Sequence, residues 1–145
     1  MGTPYDKIYR RFLTKITDYD FLQFDESTKY RYMCDLLTSA CDDFEICQHD
    51  LQARDDVTME FDEDLTSKEM EILSEGMLLH WVEPKVLDAG KFLNFLNTKD
   101  YYLSGSPATL FAQAKDLKEQ TYIKLRGLIN EYSYRNGKID ELGKG

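Results

Sequence analysis

Apolar residues recur at helical spacing along most of this chain and alternate with polar ones in a single short run. The densest apolar stretch is LTSKEMEILSEGMLLHWVEPK, Leu65 to Lys85. Thr66 followed three residues later by Glu69 is a capping box, and Leu65 with Met70 fits a hydrophobic staple across that start. Beyond it Ile72, Leu73, Met77, Leu78, Leu79, Trp81 and Val82 spread round most of the helix. A helix apolar on most sides is packed by neighbours all round, so a central helix is expected from Ser67 to about Leu87. Pro84 has no N–H for the carbonyl of His80, and a kink or stop is expected there. A short helix over about Ala89 to Leu96 and an aromatic loop, Asp100 to Gly105, should follow.

Three more helices follow from the same pattern. Tyr5, Ile8, Phe12, Leu13 and Ile16 form one stripe of a helix from Pro4 to Ile16, with Thr3 as N-cap and Asp6 completing a box. After a turn-like linker, Thr17 to Glu26, the spacing of Tyr30, Met33, Leu37, Ala40 and Phe44 predicts a helix over Ser27 to Asp43. The last helix opens with Ser106 as N-cap and Pro107 as first residue, and Gly137 is its expected terminator. Its inner stripe is Leu110, Ala114, Leu117, Thr121, Leu125, Leu128 and Tyr132. Its length of about 28 residues spans roughly 42 Å. That is long for covering one small core, and leaves Tyr122, Arg126, Ile129 and Tyr134 as candidates to meet another subunit; a long edge helix bent round the core is the other reading. The alternating run is Val57 to Phe61, rich in β-favouring residues. It reads either as half of a short hairpin, paired with Phe44 to Leu51 around Arg54-Asp55-Asp56, or as an exposed loop. The fold class is therefore mainly all-α, a bundle of four to five helices with a long C-terminal helix and room for a short β-hairpin near residues 45–61. Residues 1–137 form one domain and 138–145 a polar tail.

Composition narrows the class. With 145 residues, 13% aromatic and 31% charged, the chain has enough apolar mass for a core without metal or disulfide staples. No apolar run approaches the roughly 18 residues of a membrane span, and Met1 opens no signal-peptide pattern, so a protein that stays in or assembles from the cytosol is expected. Charge is uneven. Between Asp42 and Glu75, 13 acidic residues face only Arg54 and Lys68, so this segment outweighs the whole net charge of −9. Such a block does not grip nucleic-acid phosphates. Asp55, Asp56, Glu60 and Asp62 are its candidates for lining a channel or docking a partner, against the plainer reading of a solvated loop.

Catalytic and metal chemistry is thin. Cys34, Cys41 and Cys47 include no Cys-x-x-Cys pair and read as reduced, buried thiols. His49 lies near Cys47 and Asp50, but zinc-type spacing and a full ligand set are missing. His80 sits beside Trp81 as a packed residue. Asp62-Glu63-Asp64 lacks the glycine and terminal Glu register of a calcium loop and suits the helix dipole instead. Ser104-Gly105-Ser106-Pro107 is a turn and cap. The sequence predicts no catalytic residue, no cofactor and no metal, hence no enzyme.

The segments FEICQHDLQARD, FDEDLTSKEMEILSEGMLLHWVEPKV and LINEYSYRNG resemble a family of small phage and prophage proteins from tailed phages of Gram-positive bacteria, among the head and neck genes. The resemblance spans about Tyr5 to Gly137 and rests on Leu65, Glu69, Met77, Trp81 and Pro84, and on Tyr132, Arg135, Asn136 and Gly137. In architecture the chain is similar to head–tail connector proteins, also called head-completion or adaptor proteins. The resemblance implies a structural virion protein of the neck, assembled in the host cytoplasm. It would form a ring, typically twelve-fold, below the portal protein, extend the DNA channel and dock the next neck or tail protein. DNA would pass without sequence-specific binding, and no membrane is involved. Such proteins often carry a clear two-stranded extension, to which only Val57 to Phe61 corresponds here. A different class, an acidic DNA mimic or inhibitor that occupies a basic groove, is the alternative; an enzyme is the weakest reading.

Overall fold

The computed structural model describes the backbone over residues 2–16, 25–96 and 107–144, and side chains over 2–16, 25–84 and 112–135. Its elements are β1 (Thr3–Pro4), α1 (Tyr5–Leu13), α2 (Glu26–Asp43), β2 (Arg54–Asp55), β3 (Glu60–Phe61), α3 (Ser67–Leu96) and α4 (Pro107–Lys144). Among the described residues the chain is mainly helical with a small three-stranded antiparallel sheet. The expected aromatic loop and the N-cap Ser106 lie outside the described residues.

Helix α3 is the hub, packing against α1, α2 and α4. Every residue from Ile72 to Leu79 is buried, as a helix surrounded on all sides requires. The capping box forms: the Thr66 N–H donates to Glu69 Oε1 at 2.8 Å and the Glu69 N–H to Thr66 Oγ1 at 3.1 Å. Trp81 packs edge-on against Phe12 of α1 and Tyr32 of α2. Gly76 marks the closest approach of α2, since a Cβ there would lie 2.9 Å from the Ala40 Cβ.

Three boundaries differ from expectation. First, Thr3 does not cap α1. It sits in β1, its hydroxyl donating to the Glu63 carbonyl and accepting from the Leu65 N–H, so a residue read as a cap instead ties the N-terminus to the approach to α3. Pro4 occupies the cap position with extended backbone, and no side chain caps the helix. Second, α3 runs through Pro84 to Leu96 as one helix. An interior proline removes one hydrogen bond and bends the axis, but the turns on either side keep their own bonds. Third, α4 continues past Gly137 to Lys144, so the stretch read as a polar tail is helical. Glycine costs about 1 kcal/mol in a helix, and it ends one only when it turns left-handed.

The hairpin exists with a different register. Arg54–Asp55 pairs antiparallel with Glu60–Phe61, and β1 adds to the far side of β3, giving the order β1-β3-β2. Residues 44–51 therefore supply no strand, and Arg54 and Asp55 are strand rather than turn. The turn is 56–59, where Met59 takes a left-handed φ of 58° and its carbonyl accepts from the Tyr5 N–H at 2.9 Å. Gly2 has φ 128°, and a Cβ there would lie 2.1 Å from the Phe61 carbonyl oxygen. Only glycine lets the N-terminus lie this close to β3.

Candidate functional site

Three carboxylates of α3 point inward, and each is held differently. Glu75, almost wholly buried, receives Lys15 at 2.8 Å and Lys124 at 2.9 Å. Glu71 receives Arg11 at 2.9 Å and shares Lys15. Burial opposes ionisation of Glu71, but the hydrogen bonds and charges of Lys15 and Arg11 outweigh it and hold the carboxyl below its ordinary range. Burial likewise works against the Lys15 ammonium, and its bonds to Glu71 and Glu75 raise it above the usual lysine value. These pairs fasten the end of α1 and the middle of α4 to α3.

Glu69 is the third carboxylate, 1% exposed. Its Oε1 is the capping-box acceptor for Thr66. Its Oε2 accepts from the Tyr132 hydroxyl of α4 at 2.8 Å and from the Cys47 thiol at 3.3 Å. His49 Nδ1 lies 2.8 Å from both oxygens. Tyr132 in turn accepts from the Gln48 N–H at 2.9 Å. Burial is the largest effect on Glu69 and disfavours its charge, yet the bonds from Thr66, His49, Tyr132 and Cys47 together hold its carboxyl below the ordinary range. Burial pushes the Cys47 thiol up to about 12, with the Glu69 charge adding to it. Cys47, His49 and Glu69 thus place a sulfur, a ring nitrogen and a carboxylate oxygen within 4.8 Å of one another. The sequence sets His49 beside Cys47 and Asp50 without a full ligand set, and Glu69 reads only as a cap. The signals were a tyrosine at a position of the inner stripe of α4 and a cap glutamate that the fold uses twice.

The other histidine, His80, holds Asp43 at 2.6 Å, closing the end of α2 onto α3. Cys41 is buried and Cys34 half-buried; burial pushes Cys41 up to about 12, far from reactive.

The acidic segment divides. Asp55 accepts from the Val57 and Thr58 N–H groups and forms the hairpin turn. Asp56 accepts from the buried Tyr5 hydroxyl at 2.6 Å and lies 3.7 Å from Arg54. Glu63 and Asp64 accept from the Asp50 and Gly2 N–H groups. Glu60 of β3 and Asp62 just after it are exposed.

On α4 the inner stripe buries Thr121, Leu125 and Tyr132, with Leu128 packed against the core. Leu117 continues that face and is 47% exposed. Tyr122, Arg126 and Tyr134 are exposed as expected. Ile129 is not: it packs half-buried against the core, because it flanks the stripe one turn beyond Leu125. Ile123 is exposed in its place.

No family model matches the chain, and no curated protein or solved structure is significantly similar to it. Among the described residues, no helix is long and apolar enough to cross a membrane.

Proposed function

We propose that this chain is a structural assembly protein of the head–tail connector kind its sequence resembles, forming a ring below a phage portal. The observation that carries the reading is the outer surface of α4. Tyr122, Ile123 and Tyr134 stand 51, 63 and 67% exposed on one 38-residue helix. A ring closes through two unlike faces on each subunit. The hairpin tip supplies an unlike counterpart, with Val57 89% and Met59 38% exposed on the opposite half of the sequence. The DNA-mimic alternative has fewer surface carboxylates than the sequence offers, since Glu69 and Glu75 are buried and Glu71 is half-buried against Lys15 and Arg11, while Asp55, Asp56 and Asp64 stay exposed.

The test is electron microscopy of the protein mixed with the portal of the same phage. Ring density on the portal, lost in Ile123→Asp and in Val57→Asp with both variants still folded, supports the reading. Ile129→Asp is a poor probe because that side chain also serves the core. Density elsewhere on the particle, or none, overturns the proposal.

A further inference from the structure

Glu69 differs from its two neighbours in the company it keeps. Glu71 and Glu75 are neutralised by lysine and arginine. Among the described residues no lysine or arginine pairs with Glu69; its contacts are a thiol, an imidazole, a phenol and a backbone N–H. Among the described residues the His49 ring is the basic group that Glu69 meets, and buried carboxylates are paired in this way or coordinate a metal. The thiol and imidazole beside it are the two donor types that bind zinc most readily, and a carboxylate is the third.

The geometry suits that ion. Tetrahedral zinc, with bonds of about 2.0–2.3 Å, sets its ligand atoms roughly 3.2–3.8 Å apart. Cys47 Sγ and Glu69 Oε2 are already 3.3 Å apart, His49 Nδ1 and Glu69 Oε2 are 2.8 Å apart, and all three atoms lie within 4.8 Å. A small opening of the His49–Glu69 contact seats the metal. The outer partners are also present. Thr66 holds Glu69 Oε1, and Tyr132, itself fixed by Gln48, holds Oε2; such contacts orient metal ligands. Cys47 and His49 border a cavity of about 320 Å³ whose lining includes Asp42, Glu45 and Asp50 and neither lysine nor arginine. An acidic mouth concentrates cations.

We propose that Cys47, His49 and Glu69 bind one zinc ion, with the fourth position facing this cavity. Binding releases the Cys47 proton to solvent and takes the hydrogen that His49 Nδ1 directs at Glu69 off that nitrogen, to Nε2 or to solvent; thiolate, carboxylate and neutral imidazole then balance the two charges of the metal. The ion clamps the 44–52 loop to the start of α3, beside the Tyr132 contact from α4. This inference does not depend on the connector reading.

Cobalt(II) added to reduced, chelator-treated protein tests it. One equivalent should give thiolate-to-cobalt charge-transfer absorption and intense tetrahedral visible bands. Cys47→Ser, which keeps shape and a hydrogen-bonding group, should abolish the charge-transfer band, whereas Cys34→Ser should retain it. Tyr132→Phe should weaken zinc affinity by about ten- to a hundredfold. Zinc should raise the thermal midpoint of the wild type and not of Cys47→Ser. Cobalt spectra without a thiolate band, a band that survives Cys47→Ser, or equal zinc responses in wild type and Cys47→Ser would overturn the site.

Discussion

Tyr132 of α4 donates its hydroxyl hydrogen to Glu69 of α3 across 2.8 Å, and the same oxygen accepts from the Gln48 N–H at 2.9 Å. One phenol therefore joins the long helix, the central helix and the irregular loop. Tyr132→Phe keeps the ring, including its edge-on contact with Phe44, and removes only the oxygen. The loss leaves Glu69 short of a donor and the Gln48 N–H without its acceptor, at a cost of about 1–3 kcal/mol. Urea denaturation should show a lower midpoint with an unchanged slope; an unchanged midpoint would mean that water replaces the hydroxyl.

Acid should weaken the α1–α3 fastening. The Glu71 carboxyl lies below its ordinary value of 4.5 in the folded protein and returns to it on unfolding. The unfolded state thus binds the proton more readily, so the stability Glu71 contributes is fully present above about 4.5 and is lost as pH falls through the lower, folded value. Glu69 acts with the same sign. Lys15 acts with the opposite one: raised above 10.5, it contributes fully below that value and is lost as pH rises through its folded value. Glu71→Gln should be less stable than wild type near neutrality, and the gap between the two should close in acid as Glu71 is protonated. A gap that persists at low pH would assign the loss to packing.

Gly76 and Ala40 set the separation of α2 and α3. A methyl group at Gly76 would meet the Ala40 methyl at 2.9 Å, and overpacking of this kind costs about 1–3 kcal/mol. Gly76→Ala gains about 1 kcal/mol of helix propensity, and Ala40→Gly loses about as much. The double variant cancels propensity and reopens the contact. Gly76→Ala alone should be neutral to destabilised, and the pair should be more stable than the sum of the single changes. Strict additivity in a thermal-unfolding cycle would show that the helices simply move apart.

The central helix was legible because its signal is local. A capping box followed by apolar residues on every side defines α3, and Trp81 is buried between α1 and α2 as that pattern requires. The sheet was not legible in full. Strands of two residues have no measurable period, and β3 finds Thr3 from the other end of the domain. Pro84 and Gly137 carry stop signals that the bonding on either side overrides. The Glu69 cluster was hidden for a related reason. Cys47 and His49 are two residues apart, but Glu69 and Tyr132 reach them only through the packing of α3 and α4, and a cap residue announces nothing about its second oxygen.

The four acidic candidates should separate into two pairs. Asp55 builds the hairpin turn through the Val57 and Thr58 N–H groups, and Asp56 satisfies the buried Tyr5 hydroxyl. Replacing both with alanine leaves turn donors and a buried hydroxyl unpaired, and about 1–3 kcal/mol should be lost. Glu60 of β3 and Asp62 just after it stand exposed, so Glu60→Gln with Asp62→Asn should stay within about 0.5 kcal/mol of wild type in urea denaturation. That second pair is the proper probe of a channel or docking role, since any change in particle assembly or DNA retention would come from lost charge in an intact fold. Normal particles from Glu60→Gln/Asp62→Asn would make these carboxylates ordinary solvated groups. Unfolding of the same variant would instead show that the sheet depends on them.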